Sequence, residues 1–223
     1  MFNLSALTEI IFLNFKIFEM NFTPNEIYHI YNRGNNRQII FFNDDNYIFF
    51  LKKIREEWRE YGEILAYCLM PNHFHFMMIP NEKACIHISL DERITHMQNL
   101  SKAIGKTLSS YTKAINIQNT TTGNLFQKKT KAKCLNKNEN VLHKFSVRDY
   151  ALTCFHYIHQ NPLLANLVKE LSKWKYSSYP DYYGYRNGTL CNKNRAMELL
   201  NLSPLDFNNE PFSLDDDIIK GLF

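Results

Sequence analysis

The sequence predicts an α+β fold, an antiparallel sheet with helices packed on it. Two short apolar runs, Ile64 to Met70 and His73 to Ile79, flank Pro71-Asn72 and read as an antiparallel hairpin. Around that hairpin the strand-like and helix-like stretches follow the order β-α-β-β-α-β-α, which suits helices laid on an antiparallel sheet.

Each element has its own local signal. Glu26 to Arg33, EIYHIYNR, is rich in aromatic and β-branched residues and stops at Gly34, so it is the first strand. Asn43-Asp44-Asp45 offers N-cap chemistry for a helix running to about Glu60. Tyr47, Phe50, Leu51, Ile54 and Trp58 recur at helical spacing along it, and Tyr61-Gly62 closes it. Both hairpin strands are apolar on both faces, which predicts a central hairpin covered on two sides. Asp91 to about Ile117 reads as a long helix with Ile94, Met97, Leu100, Ile104, Leu108 and Tyr111 turned inward. Asn116 to Asn124 is a polar loop, and Phe126 to Leu135 is a further, basic strand. Ser146-Val147-Arg148-Asp149 has capping-box form and starts the last helix, with Val147, Ala151, Cys154, Phe155 and Ile158 as its stripe. Pro162 predicts its end near Asn161.

With 223 residues, 45% of them hydrophobic, the chain is long enough for one domain with a real core. We divide it into an N-terminal extension (1–22), a main domain (23–183) and a C-terminal extension (184–223), the last less regular after about Trp174. The apolar N-terminal stretch carries Glu9, Lys16 and Glu19, which argues against both a signal peptide and a membrane span. Five scattered cysteines with no CxxC argue against a disulfide framework and a zinc knuckle, and for a cytoplasmic protein. The net charge is only +4, but Lys102 to Lys137 holds eight lysines and no acid. That span is either a solvated face or a contact for nucleic acid.

Two constellations carry possible chemistry. His73 and His75 alternate on a predicted strand, so both imidazoles share one face while Phe74 takes the other. At roughly 7 Å spacing along a strand they can converge on one divalent cation. Two imidazoles do not fill a coordination shell, so a third ligand must come from elsewhere. Mixed nitrogen and oxygen ligation with phosphate suits Mg²⁺ or Mn²⁺, although imidazole alone favours Zn²⁺. Tyr157 and Asn161 lie four residues apart and share a helix face at the margin of its apolar stripe. On spacing alone the simpler account is one tyrosine among 13 and a C-terminal cap. His156 and His159 fall on other faces and read as solvent-facing or supporting groups rather than ligands. Tyr28 and Tyr31 are assigned to the core, with stacking on bases as the alternative.

The stretches YHIYNRG (Tyr28 to Gly34), AYCLMPNHFHF (Ala66 to Phe76), YIHQNP (Tyr157 to Pro162) and SSY (Ser177 to Tyr179) together resemble the REP-associated tyrosine transposases. These are relatives of the single-tyrosine HUH transposases of small bacterial insertion sequences. The likeness runs from about Tyr28 to Tyr183. It implies a ferredoxin-like antiparallel sheet flanked by helices, with His73 and His75 as metal ligands, Tyr157 as nucleophile and Asn161 completing the site of a divalent Mg²⁺ or Mn²⁺. It also implies cleavage and rejoining of single-stranded or hairpin DNA through a covalent 5′-phosphotyrosine, by a monomer or a homodimer. Arg33, Arg37, Lys128, Lys129, Lys131 and Lys133 are the expected DNA contacts. Two other readings stand beside this one: a host-retained nucleic-acid-binding module of the same fold without catalysis, and a metal-dependent hydrolase using the histidine pair alone.

Overall fold

A computed structural model of the chain describes residues 20–88, 97–137, 145–207 and 211–222. The main sheet is built from β1 (Tyr28–Arg33), β2 (Gly62–Met70), β3 (His73–Pro80) and β6 (Lys131–Cys134). Its order is β2-β3-β1-β6, and every neighbouring pair is antiparallel. Two helices make the crossovers. Helix α1 (Asp44–Trp58) joins β1 to β2, and α3 (Asn99–Asn119) lies between β3 and β6. In each crossover one strand sits between the two that are joined, the split β-α-β pattern of a ferredoxin-like sheet. Between β3 and α3 lie a short helix α2 (Glu82–Cys85) and a two-stranded ribbon of β4 (His87–Ile88) and β5 (Met97–Gln98).

Alternation along the strands divides the molecule into two layers. Tyr28, Ile30, Tyr67, Leu69, Phe74, Phe76 and Met78 face α1 and α3, where Phe50, Ile54, Trp58, Leu100, Ile104 and Tyr111 complete an aromatic core. Two buried bonds tie this layer together, Trp58 Nε1 to Thr107 Oγ1 at 3.0 Å and Tyr111 Oη to the Ile40 carbonyl at 2.6 Å. The opposite face carries Ala66, Cys68, Met70 and Met77 against helix α4 (Val147–Leu164), which contributes Ala151, Cys154, Phe155 and Ile158. The same core takes in α5 (Tyr179–Tyr182), α6 (Lys193–Leu200) and the segment around α7 (Asp216–Gly221) through Tyr179, Leu200, Phe207 and Leu222. Beyond Ser203 the described chain is anchored to this core by Phe207 and Leu222.

Local chemistry explains most boundaries. The Asn43 side chain accepts from Asn46 N at 3.0 Å and starts α1, as its N-cap position predicts. Ser146 likewise accepts from Asp149 N at 3.1 Å and starts α4. Three expectations are corrected. The long helix begins at Asn99 rather than Asp91, because Met97 and Gln98 are drawn into the ribbon; Asp91 and Ile94 lie outside the described residues. Helix α4 runs through Pro162 to Leu164, because its last turn closes with Ala165 N to the Asn161 carbonyl and Leu167 N to the Pro162 carbonyl, both at 2.9 Å. The hairpin is not central, since β2 is at the sheet's margin. Its outer side is covered by Leu69 N bonding the Tyr176 carbonyl at 2.9 Å and by bridges at Ser177 and Cys191. Among the described residues no helix is long and apolar enough to cross a membrane.

Candidate active site

Antiparallel pairing fixes which side chains meet on the α4 face of the sheet. His73 lies opposite Arg33, His75 opposite Tyr31, and Met77 opposite His29; on the next strand Lys131 lies opposite Tyr31 and Lys133 opposite His29. Directly opposed residues point to the same face. Both histidines of the HFH sequence thus emerge beside α4, and Phe74 enters the aromatic core, as alternation requires.

Tyr157 of α4 projects onto this group. Its ring centroid is 5.6 Å from that of His75, edge to face, and the rings of His73 and His75 are 5.0 Å apart. Asn161, one turn on, brings its Oδ1 to 3.5 Å from His73 Nε2. Tyr31, Asn32, Arg33, Arg37, Asn72, His73, His75, Gln127, Lys129, Lys131 and Tyr157 enclose a cleft of about 580 Å³. The phenol and the imidazoles therefore open into one space.

Hydrogen bonds fix the polarity of the donors. Asn161 Nδ2 gives its proton to the Tyr157 carbonyl at 2.7 Å, so its oxygen faces His73. Asn72 Nδ2 is turned to the Arg37 carbonyl, so Asn72 Oδ1 accepts from His73 Nδ1 at 2.7 Å. His73 Nε2 is left with a lone pair, and so is Asn161 Oδ1. Two lone-pair atoms 3.5 Å apart suit a cation bound between them, since ligand atoms each about 2.1 Å from one metal lie roughly 3–3.5 Å from each other. Among the described residues no three His, Cys, Asp or Glu side chains gather around one point. The residue that could complete a donor set with the two histidines is a carboxamide, Asn161. The residues present fit a divalent cation of mixed nitrogen and oxygen preference.

Burial favours the neutral form of the imidazoles and the phenol. It lowers the His73 pKa, with Asn161 opposing and Arg33 assisting, and it lowers that of His75 well below the ordinary imidazole value. His29, fully buried behind His75, is pushed down to about 3 by desolvation, against a backbone hydrogen bond with Leu222 that works upward. Desolvation pushes the Tyr157 phenol up to about 12, while a hydrogen bond with the Asn161 side chain pulls it down.

The expected nucleic-acid contacts are placed unequally. Arg33, Arg37, Lys129 and Lys131 border the cleft. Lys128 is exposed and lines an adjoining groove of about 670 Å³ that shares Lys129 and Lys131 with it. Lys133 points to the same face as Lys131 but borders neither space. Arg37 is presented by a single 3₁₀ turn (Asn35–Arg37) with left-handed backbone at Asn36 (φ 52°) and Arg37 (φ 61°). Such backbone in a residue with a side chain persists only where its surroundings enforce it. Here Arg37 N bonds the Gly34 carbonyl at 3.0 Å, and Gln38 Nε2 bonds the Leu125 carbonyl at 2.9 Å.

Three site residues escaped the sequence reading. Tyr31, assigned there to the core, is half-buried in the cleft and stacks on His29 with centroids 4.7 Å apart; Tyr28 does lie in the core. Asn72 and His29 hold the two histidines from behind. His156 and His159 stay out of the cleft, as expected, but they are buried and not solvent-facing. His156 stacks on Phe212 at 4.1 Å, and His159 Nε2 pairs with Ser178 Oγ at 2.7 Å. Ser178 in turn accepts from Tyr67 N at 2.9 Å, so the SSY stretch clasps the outer side of β2.

A solved structure described as a REP-associated tyrosine transposase bound to a REP hairpin aligns over 75% of this chain and 84% of its own, with 16% identity and a TM-score of 0.50. The chain shares that transposase's fold. The α+β sheet with its flanking helices is the part in common. Bacterial tRNA(His) guanylyltransferase-like proteins also align, one with ATP at 7% identity over 70% of this chain and 66% of its own (TM-score 0.41). Another, with GTP, aligns at 7% identity over 72% and 76% (TM-score 0.39). No protein-family model and no curated protein sequence matches the chain.

Proposed function

We propose that this chain is a metal-dependent single-tyrosine DNA transposase that cleaves and rejoins single-stranded or hairpin DNA. The observation that carries the reading is the meeting of Tyr157, His73 and His75 in one basic cleft, with Asn161 Oδ1 behind, 3.5 Å from His73 Nε2. The shared fold with a transposase that holds a DNA hairpin is in keeping with it.

His73, His75 and Asn161 would hold a divalent cation, Mg²⁺ or Mn²⁺, which supplies Lewis-acid polarisation of the scissile phosphate. Arg33, Arg37, Lys129 and Lys131 neutralise flanking phosphates and set the strand in register. The Tyr157 oxygen attacks phosphorus in line. The new bond joins phosphorus to the phenol oxygen as the bond to the 3′ oxygen breaks, the phenol proton passes to solvent, and the leaving oxygen takes a proton to become a 3′-hydroxyl. The 5′ phosphate stays on Tyr157. Attack by a 3′-hydroxyl reverses these steps and releases the tyrosine, so the phosphodiester energy is conserved without a nucleotide triphosphate.

The test is incubation of the purified protein with hairpin-bearing single-stranded DNA and Mn²⁺. The expected product is a protein–DNA adduct that survives denaturation and is absent from Tyr157→Phe. Binding with no adduct would establish the non-catalytic module instead, and cleavage persisting in Tyr157→Phe would establish a hydrolase.

A further inference from the structure

A second space adjoins the cleft, the groove of about 670 Å³ between helix α3 and strand β6. One wall is the α3 face that carries Ser101, Leu108, Ser109 and Thr112. The other is the segment Gln127 to Ala132, which brings Lys128, Lys129 and Lys131 and leads into β6. β6 is the last strand of the sheet, and among the described residues its outer edge has no strand partner. Among the described residues no Asp or Glu lines the groove. Lys106 and Lys137, elsewhere in the same acid-free span, are paired with Glu57 at 2.8 Å and Glu26 at 3.3 Å. Among the described residues Lys128 and Lys131 have no carboxylate within such reach.

We propose that this groove is a second nucleotide site, which takes the unpaired DNA running on from the scissile phosphate. The proposal rests on the functional reading above. Pockets of about 300–1,000 Å³ hold drug-sized ligands, so the groove has room for roughly one or two nucleotides. Ile104, Leu108, Phe126 and Ala132 give it apolar surface on which an unpaired base can lie. The bases of a duplex are stacked on one another and offer no free face. The hydroxyls of Ser109, Thr112 and Thr130 supply donors and acceptors for a base edge, and the lysines meet phosphate. The two spaces are continuous, because Gln127, Lys129 and Lys131 border both. The segment between them is pinned to β1. Asn32 Nδ2 donates to the Gln127 carbonyl at 3.1 Å and to Thr130 Oγ1 at 2.9 Å, and Gln127 N donates to the Arg33 carbonyl at 2.9 Å. A strand leaving the cleft thus passes a fixed backbone bearing two lysines and enters the groove without meeting an acid.

Gly105 of α3 borders the groove, and a Cβ added there meets nothing within 4 Å. Gly105→Leu therefore obstructs the groove without strain and should leave the melting temperature unchanged or raised. The experiment is fluorescence-anisotropy titration of the full chain with a hairpin bearing unpaired flanks, and with the same hairpin trimmed to its stem and a minimal loop. The wild type should prefer the flanked hairpin. Gly105→Leu should raise the dissociation constant of the flanked hairpin by about fivefold or more, the least that one stacked base contributes, and leave that of the trimmed hairpin unchanged. Lys128→Ala, at an exposed position, should lower the slope of log K against log salt for the flanked hairpin by about 0.7. Unchanged flanked affinity in Gly105→Leu, or an unchanged salt slope in Lys128→Ala, overturns the proposal. An equal loss for both hairpins overturns it too and gives the groove to the stem. In each case the Tyr157 adduct still tests the cleft by itself, whereas a wild type that binds neither hairpin removes both readings.

Discussion

Tyr157 is a weak nucleophile in its resting environment. Its phenol is pushed up to about 12, so at neutral pH nearly all of it is protonated. His73 and His75 are shifted the other way, below 6.5, and are already neutral at pH 7. Raising the pH from 7 to 9 therefore acts on the phenol and not on these imidazoles. The rate of adduct formation should climb by about tenfold per pH unit across that window, as the phenolate fraction does. Quenched time courses on denaturing gels measure it, and a flat profile would show that proton loss from the tyrosine does not limit the step. At this scale the sequence was legible where one strand or one helix carries the pattern. HFH gives its face by alternation, and Tyr157 and Asn161 share a face by helical spacing. His29 was not legible as a partner of His75 because the two stand 46 residues apart and meet only through β1–β3 register. A signal did exist: His29, Tyr31 and Arg33 alternate, so a candidate role for Arg33 implies the same face for the other two.

The turn after β1 is the element on which the basic side of the cleft depends. A Cβ added at Gly34 would lie 2.1 Å from the Gln38 carbonyl oxygen, a backbone atom that can move only with the turn. Gly34→Ala should therefore cost roughly 1–3 kcal/mol, as overpacking does, and weaken single-stranded DNA binding by displacing Arg37. Thermal melts and fluorescence-anisotropy titrations check both effects; unchanged values for the two would remove the turn from this account. Element types were readable from capping and periodicity, as Asn43 and Ser146 show. Boundaries failed where tertiary contacts overrode local preference. Gln98 leaves the expected helix because its side chain bonds Phe22 N at 2.6 Å and the Phe22 carbonyl at 2.9 Å, a partnership invisible in a local window. Helix α4 passes through Pro162 because the stretch leading into the proline, His159 to Pro162, is buried.

For the whole molecule, buried histidines couple stability to acid. Desolvation lowers His156 to about 4 and His159 well below 6.5, whereas in the unfolded chain both titrate near 6.5. Below pH 6.5 the unfolded chain takes up protons that the folded one refuses. Each group then removes roughly 1.4 kcal/mol of stability per pH unit, and above pH 6.5 neither contributes a slope. The melting temperature of the metal-free protein should fall from pH 7 to pH 5 and change little from these groups between pH 7 and pH 8. His156→Phe keeps the ring stacked on Phe212 and should flatten the acid slope; an unaltered slope would contradict the assignment. The fold class was evident from the order of elements, but the division of labour between the two faces was not, because both faces of the hairpin strands are apolar in sequence.

That division makes β3 intolerant of slippage. Its odd-numbered positions from 73 to 77 supply the cleft side and its even-numbered positions from 74 to 78 the aromatic layer, so a shift by a single residue exchanges the two sets. Phe74 and Phe76 would then face the cleft, and both imidazoles would be thrust among phenyl rings. The two-residue link Pro71-Asn72 is the spacer that prevents this. An insertion there would disarm the site while leaving every one of its side chains in the chain, a lesion that no comparison of composition could detect.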